Sequence, residues 1–369
     1  MKSEQIVRSL LEKTGVIING SAVYDMQVRN EALYDRILAK GSLGLGEAYI
    51  DGWWDVERLD EFFYRILKAN LRSSIRLNMG LIWSSLRSRV TNLALQKPFE
   101  VGERHYDAGN DLFRRMLDRR LTYSCGYWAE ADTLDAAQEA KLDLVCRKVH
   151  LKKDEQVLDI GCGWGSFLTY ASEKYDVWGT GLTISAEQQK YVQSIPGLPF
   201  EVLLTSYQQY NAKRFDKIVS IGMFEHVGYK NYRMYMEKVR SLLRDNGLFL
   251  LHTIGRNMSV RQTDPWIQKY VFPNGMIPSA SQISQAYEGL LVMEDWHNFG
   301  HFYDRTLMAW FRNFESVWPE LEAEYGTEFY RMWKYHLLSC AGAFRARELQ
   351  LWQIVLSKDG VNRGYTSVR

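Results

Sequence analysis

The amino-acid sequence predicts an α/β fold with a doubly wound sheet, preceded by a smaller, mainly helical domain. Beyond Pro98, seven short apolar runs typical of buried strands alternate with stretches of helical pattern. Before residue 95, apolar residues recur mainly at helical spacing. We therefore expect two domains, residues 1–95 and 96–369, with Pro98 at the joint between them.

The first domain contains an apolar stripe of helical spacing and, just before it, a glycine-rich segment. Glycine favours turns over regular structure, so the segment GSLGLGEAYIDGWW predicts a loop. The stripe that follows predicts a helix, and its members are Leu59, Phe62, Phe63, Ile66 and Leu67.

A strongly basic stretch follows that helix, because no acidic residue occurs from Phe62 to Phe99. A basic amphipathic helix suits an anionic membrane surface, and a core-packing helix with a solvated basic face is the alternative. Nucleic acid is a weaker option, since no known reader motif accompanies the charge. The basic residues are Arg65, Lys68, Arg72, Arg76, Arg87, Arg89 and Lys97, interleaved with Leu71, Ile75, Met79, Ile82, Trp83, Leu86, Val90 and Leu93.

The bulk composition is that of an ordinary soluble protein, with a net charge of only +2. Four scattered cysteines form no CxxC pair and the histidines show no HExxH spacing, which argues against a metal site. We find neither a signal peptide nor a run of about 20 apolar residues.

The residues just after the predicted strands are the informative ones, because ligands of open α/β sheets bind outside the carboxyl ends of the strands. The first strand ends in the loop from Asp159 to Gly165, the fourth is followed by Glu225 and the fifth contains His252. The seven strand-like runs are QVLDIG, YDVWGTGL, FEVLL, DKIVSIG, GLFLLHT, LLVMEDWH and LQLWQIVLS.

The loop GCGWG allows close approach of the backbone to a ligand at a helix N-terminus. Its GxGxG spacing differs from the GxGxxG of dinucleotide sites, which also need an acidic residue about 20 positions later. Glu187 is near enough to keep a nicotinamide oxidoreductase as an alternative. Ser185 and Gln188 also fit a capping box, in which case they only begin a helix.

Six segments together resemble the cyclopropane-fatty-acid-phospholipid synthases, which are class I S-adenosylmethionine-dependent methyltransferases. They are YSCGYW, VLDIGCGWG, GLTISAEQQ, SIGMFEHVG, LLHTIG and CAGAFRAR. The resemblance implies a Rossmann-like, seven-stranded methyltransferase sheet from Pro98 onward. The segment GSLGLGEAYIDGWW resembles the N-terminal domain of the bacterial members that act on phospholipids.

The resemblance also implies which residues bind S-adenosylmethionine. One departure is that many relatives have an acidic residue for the adenine after the third strand, where this chain has TSYQ, so stacking on Tyr207 would replace it. The implied cofactor residues are Tyr123, Ser124, Val157, Asp159, Gly161, Cys162, Gly163, Gly165, Thr183, Gln188, Tyr207 and Gln208.

The implied reaction begins with attack of a cis alkene on the sulfonium methyl group, which leaves a carbocation that must lose a proton before a ring can close. The family binds bicarbonate as the base. The corresponding positions are the side chains of Glu225, His252 and Tyr303 and the backbone of Cys125 and Ile254. Backbone N–H groups and a histidine can fix an anion, and a carboxylate can accept its hydroxyl group.

Three further residues have competing interpretations. His252 alone resembles a satisfied core histidine, but its position beside Glu225 favours a role in the site. His226 is interpreted as structural or as supporting the site. Cys340 matches the position sometimes treated as the family's active-site cysteine, although a buried, inert thiol is the commoner outcome and no step requires a thiolate.

We therefore predict an enzyme that acts on unsaturated phospholipid and is peripherally bound to the inner face of an anionic membrane. A homodimer is expected from the resemblance, and nucleic acid and metal are not expected. Two alternatives remain: a methyltransferase that makes methyl-branched or hydroxylated chains from the same cation, and a nonenzymatic lipid-binding protein.

Overall fold

The computed structural model describes residues 3–69 and 110–369. The chain divides into two compact units that are interleaved in the sequence. The first comprises Met1–Thr91, Gln262–Pro273 and Tyr303–Leu349, and the second comprises Asn92–Arg261, Asn274–Phe302 and Gln350–Arg369. The sequential domain boundary at residue 95 stays a prediction.

The described helices, numbered in chain order, vary in length from 6 residues to a C-terminal element of 45 residues that is interrupted at Gly326. They are α1 Ser3–Glu12, α2 Ala32–Lys40, α3 Ser42–Ile50, α4 Leu59–Lys68, α5 Asn110–Met116, α6 Leu134–Lys148, α7 Ser166–Tyr175, α8 Ala186–Gln193, α9 Tyr232–Leu242, α10 Pro265–Tyr270, α11 Ala280–Tyr287 and α12 His301–Arg345. Within the ranges 3–69 and 110–369, none of these helices has the length and apolarity needed to cross a membrane.

The second unit is built on a mixed seven-stranded sheet of order β5-β4-β3-β6-β7-β9-β8. The neighbours from β5 to β7 are parallel, whereas β8 and β9 are antiparallel. This confirms the predicted fold class. The strands are β3 Gln156–Ile160, β4 Trp178–Thr183, β5 Phe200–Leu204, β6 Phe215–Ile221, β7 Leu243–Arg256, β8 Val292–Asn298 and β9 Leu349–Ser357, after a short pair of β1 Gln27–Val28 and β2 Trp54–Asp55.

Apolar side chains cover both faces of this sheet. Along β6, Ile218 belongs to a core cluster with Tyr235 of α9, whereas its neighbour Val219 belongs to another with Leu142 of α6 and Phe167 of α7. Successive side chains of a strand point to opposite faces, so this division places helices on both sides of the sheet. The run that forms β6 is therefore apolar over most of its length because both faces of this strand are largely buried.

The first unit confirms one helix predicted from the sequence and corrects a predicted loop. The stripe beginning at Leu59 forms α4, but GSLGLGEAYIDGWW is wrong as a loop because most of it forms α3. A Cβ on Gly46 would lie 2.2 Å from Trp266 Cδ1, and one on Gly44 would lie 2.2 Å from the Arg36 carbonyl oxygen. These glycines therefore permit close packing of a helix, which offsets their poor helix propensity.

Charged side chains tie separate segments of the first unit together. Arg331 donates to the carbonyl oxygens of Tyr49 and Trp54, and Arg345 pairs with Asp304 at 2.9 Å and with Asp60 at 2.8 Å. Of the predicted basic residues, Arg65 and Lys68 lie in α4. Arg72, Arg76, Arg87, Arg89, Lys97 and the apolar residues 71–93 lie outside the described residues.

Candidate active site

A cavity of about 180 Å³ lies at the carboxyl ends of β3 to β6 in the second unit. The strands bring together residues that are far apart in the sequence, as the topology of an open α/β sheet requires. Val157, buried inside β3, and Gly165 do not line the cavity. The other predicted cofactor residues do: Tyr123, Ser124, Asp159, Gly161, Cys162, Gly163, Thr183, Gln188, Tyr207 and Gln208.

The glycine loop is folded over the end of the neighbouring strand. The N–H groups of Gly161 and Cys162 both donate to the carbonyl oxygen of Leu182, at 2.9 and 3.0 Å. Gly161 has a φ of 84°, and a Cβ there would lie 2.7 Å from Met223. A side chain at this position would be strained and would also collide with the segment that follows β6.

The second strand ends in a helix cap that also contributes to the cavity. The Ser185 hydroxyl accepts the Gln188 N–H at 3.3 Å, so Ser185 is the N-cap that the predicted capping box requires. The reciprocal half of the box is replaced, because the Ser185 N–H donates to Thr183 Oγ1 at 3.1 Å and Thr183 Oγ1 donates to the Gln188 side-chain oxygen at 2.8 Å. Gln188 therefore takes part in the helix cap and also lines the cavity. Glu187 is half exposed, pairs with Lys190 at 2.9 Å and does not line the cavity. It is thus not placed as the ribose-binding acid of a nicotinamide site.

Two buried charged groups line the cavity near Ser124. Burial raises the pKa of Asp159 to about 7, although Lys141 opposes this, and its Oδ1 has no hydrogen-bond partner among the described residues. Lys141 donates to Ser124 Oγ at 3.0 Å, and burial lowers its pKa to about 8 against the opposing charge of Asp118. Sequence reasoning missed Lys141, because a lysine inside a helical pattern normally indicates a solvated face.

Tyr207 follows β5 and lines the cavity. It packs edge to face against Tyr235 with ring centroids 5.0 Å apart and accepts a hydrogen bond from the Gln208 amide at 3.3 Å. Burial raises the pKa of its hydroxyl, which therefore stays neutral. The ring is held by packing and offers an aromatic wall where many methyltransferases have an acid.

Glu225 and His252 both lie beside the carboxyl end of β6. Ile221 of β6 is opposite His252 of β7, and Glu225 lies in the 3-10 turn Phe224–His226 that follows β6. The Ile254 N–H donates to Glu225 Oε1 at 2.7 Å. Because His252 and Ile254 are two residues apart, the carboxyl group is held against the strand that carries the imidazole.

Each of these side chains buries a polar atom that has no hydrogen-bond partner in the described part of the chain: Oε2 of Glu225 and Nε2 of His252. Burial raises the pKa of Glu225 to about 7, against the Ile254 hydrogen bond. Burial, together with the charges of Lys141 and Lys148, depresses the pKa of His252 well below its usual value. Buried polar atoms are normally satisfied, so this pair indicates a place for a small polar ligand.

The structure places the remaining predicted site residues in different surroundings: Cys125, His226, Tyr303 and Cys340. Cys125 is buried and its thiol donates to the Gly126 carbonyl oxygen at 3.2 Å. His226 lines the cavity, and burial lowers its pKa to about 4, so the ring is neutral. Tyr303 and Cys340 belong to the first unit, where the Tyr303 and Phe344 rings pack with their centroids 4.5 Å apart.

Sequence reasoning also missed Gln353 of β9, whose amide nitrogen lies 3.3 Å from His252 Nδ1. The strand LQLWQIVLS reads as a plain buried strand. An interior glutamine in such a run is the only signal available in the sequence, since burying an amide is costly without a partner.

Comparison with known proteins gives the same assignment from both sequence and fold. The family model described as "Mycolic acid cyclopropane synthetase" matches residues 94–354. The cyclopropane-fatty-acyl-phospholipid synthase of Escherichia coli strain K12 is 50% identical over 99% of this chain and 96% of its own length.

Two solved structures support the fold assignment. The cyclopropane synthase MmaA2 of Mycobacterium tuberculosis is 32% identical, covers 70% of this chain and 98% of its own, and has a TM-score of 0.66. The mycolic acid cyclopropane synthase CmaA1, solved with SAH and CTAB, is also 32% identical, with the same coverage and a TM-score of 0.65. The chain therefore belongs to the cyclopropane synthase family and is an S-adenosylmethionine-dependent methyltransferase.

Proposed function

We propose that this protein transfers a methylene group from S-adenosylmethionine to the cis double bond of unsaturated acyl chains in membrane phospholipids, with bound bicarbonate as the base. Its similarity to the Escherichia coli phospholipid synthase along nearly the whole chain supports the substrate class. The observation that carries the chemistry is the buried pair of atoms, Glu225 Oε2 and His252 Nε2, without protein partners in the described ranges.

The cavity residues fit S-adenosylmethionine by chemical type. Its amino-acid end carries both charges, and Asp159 and Lys141 offer a buried carboxylate and a buried ammonium group, with Ser124 beside the latter. The glycine loop allows close approach, and Tyr207 offers an aromatic face for the adenine. When bound, the cofactor supplies an electrophilic methyl group.

The residues after β6 and in β7 fit a small oxyanion that carries one proton. A neutral His252 has one N–H to donate, and Glu225 Oε2 can accept the hydroxyl group of bicarbonate. The backbone of Cys125 and the side chain of Tyr303 would add donors, as the family resemblance implies. The Ile254 N–H already binds Glu225, so we assign it the role of holding that carboxylate.

The chain's part in the reaction is to orient the base and to shield a carbocation. Glu225 as a carboxylate would fix the hydroxyl of the anion and leave a basic oxygen for the proton. A direct carboxylate base would risk alkylation, which a replaceable anion avoids. Aromatic rings beside a desolvated cation stabilise it by about 1 to 2 kcal/mol each.

The decisive experiment incubates the protein with methyl-labelled S-adenosylmethionine and vesicles of a monounsaturated phospholipid. We expect acyl chains that are one methylene heavier and show cyclopropyl proton signals in NMR spectra. Chains of equal added mass that retain vinyl signals would instead show methyl branching, and unmodified chains would leave a lipid-binding protein. Omitting carbon dioxide should slow the reaction, and added bicarbonate should restore it.

A peripheral, cytoplasmic location, an N-terminal membrane-binding domain over residues 1–95 and a homodimer are further parts of the proposal. Support for the domain comes from the basic amphipathic pattern between residues 62 and 99. Charge reversal of Arg72, Arg76, Arg87 and Arg89 should weaken flotation with anionic vesicles while turnover on detergent-dispersed lipid is retained. Unchanged flotation would favour a core-packing helix. The homodimer is tested separately, by measuring the molecular mass of the protein in sedimentation equilibrium.

A further inference from the structure

Gln353 is a buried polar residue of the strand that lies next to the edge strand β8. It lies in β9, which is adjacent to β7 in the sheet order, and it is fully buried between Trp352 and Ile354. Its amide nitrogen is 3.3 Å from Nδ1 of His252, which is 1% exposed. Burying an amide in an apolar strand is unfavourable unless the amide is hydrogen-bonded.

This contact bears on which nitrogen of His252 carries the proton, because the atom facing Nδ1 is the amide nitrogen of Gln353, which can only donate. Burial and the nearby charges of Lys141 and Lys148 keep the imidazole neutral, so one ring nitrogen donates and the other accepts. An amide N–H directed at Nδ1 makes that nitrogen the acceptor. The proton must then be on Nε2, the atom that has no hydrogen-bond partner in the described residues.

We propose that Gln353 is a positioning residue that fixes His252 as the Nε2–H tautomer, so that the imidazole offers a hydrogen-bond donor to the anion. The inference rests on the proposed function, because it names the orientation of one anion ligand. A second-layer partner that fixes a histidine tautomer is a common device in sites where the other ring nitrogen binds a ligand.

Replacing the amide by a carboxylate reverses this arrangement. In Gln353→Glu the new side chain, when ionised, can only accept, so His252 would place its proton on Nδ1 and turn a lone pair on Nε2 toward the anion. In Gln353→Met the partner is removed and neither tautomer is enforced. Both changes leave Glu225, the glycine loop and Lys141 in place.

Gln350 provides a matched control. It is a buried glutamine of the same strand, 6% exposed, and its amide bonds to Asn257 at 3.2 Å and to Asn298 at 3.1 Å. Gln350→Met therefore removes a buried amide of β9 without touching His252.

The first measurement is the tautomer itself, by long-range nitrogen–proton NMR of the full-length protein labelled with ¹⁵N-histidine, with His252→Gln identifying the signal. We expect a protonated Nε2 in the wild type and in Gln350→Met, and a protonated Nδ1 in Gln353→Glu. A protonated Nδ1 in the wild type, or no change in Gln353→Glu, would overturn the proposal whatever the enzyme's substrate.

The second measurement is turnover against bicarbonate concentration in buffer freed of carbon dioxide. Loss of a hydrogen bond to a charged group predicts that Gln353→Glu needs about tenfold to a hundredfold more bicarbonate for half-maximal rate. SAH affinity should stay within about twofold and Gln350→Met should resemble the wild type. If the wild type responds to bicarbonate but Gln353→Glu needs the same bicarbonate concentration for half-maximal rate, the positioning role is refuted and the proposed function stands. If the wild type does not respond at all, the bicarbonate mechanism fails and the anion role of His252 fails with it.

Discussion

The backbone N–H of Ile254 and the Glu225 carboxyl group form a 2.7 Å hydrogen bond that links the turn after β6 to β7. The bond engages Oε1 and leaves Oε2 buried without a partner in the described part of the chain. A carboxyl group held by one oxygen is oriented, while its second oxygen stays available to a ligand.

Glu225→Gln is expected to lower turnover on phospholipid vesicles by about a hundredfold or more, because an amide orients a basic anion poorly. SAH affinity, measured by calorimetry, should change by less than about twofold, since Glu225 does not line the cofactor cavity. Glu187→Gln, which alters a carboxylate paired with Lys190, is the control. Wild-type turnover in Glu225→Gln would remove the proposed role.

The same substitution is expected to stabilise the ligand-free protein at alkaline pH. Burial raises the pKa of Glu225 from its ordinary value of 4.5 to about 7, so the folded state penalises ionisation. The penalty is absent below pH 4.5, grows as the pH rises toward 7 and is complete above it. Glu225→Gln should therefore raise the free energy of unfolding by about 3 kcal/mol at pH 8 but by less than about 1 kcal/mol at pH 5. Denaturant titration at both values tests this, and an effect of equal size at both would contradict it.

Lys141→Met is expected to weaken binding of SAH about tenfold or more while binding of 5′-methylthioadenosine changes less than about twofold. The two ligands share the nucleoside, but only SAH carries the carboxylate that we assign to Lys141. Calorimetry of both ligands makes the comparison within one protein, so partial unfolding would weaken both. An equal loss for both ligands would refute the assignment.

Cys340→Ser is expected to keep turnover within about threefold of the wild type. Burial raises the pKa of the Cys340 thiol to about 12, so hardly any thiolate, the reactive form, exists near neutral pH. Alkylation by iodoacetamide, followed by peptide mass spectrometry, should be slow in the folded protein and fast in guanidinium. A hundredfold loss of turnover, or rapid labelling of the folded protein, would show a reactive thiol.

The position of the site was predictable because parallel strands end at the same edge of a sheet. Asp159, Glu225 and His252 are widely spaced in sequence, yet each follows or ends a recognisable apolar run. Strand periodicity and order therefore carry the information that brings them together. The cap at Ser185 and the contribution of Gln188 to the cavity were both visible in the same short motif.

The features that the sequence did not reveal depend on partners distant in the chain. α3 was mistaken for a loop because the reason for its glycines is the ring of Trp266, more than 200 residues later. Lys141 and Gln353 lie inside a regular helix and a regular strand, where local pattern assigns them to a solvated face or to a plain core. Their roles arise from Ser124 and His252, which only the folded chain brings near.

The contacts of Arg331 bear on how members of this family can be dissected and recombined. Its guanidinium group binds the backbone of Tyr49 and Trp54, and Trp266 fills the space beside Gly46, so three separate stretches of chain complete one another within a single unit. An excised N-terminal fragment would leave those carbonyl groups and that glycine surface bare. A chimera that exchanges N-terminal regions between homologues must accordingly carry over the helical inserts around Trp266 and Arg331 as well.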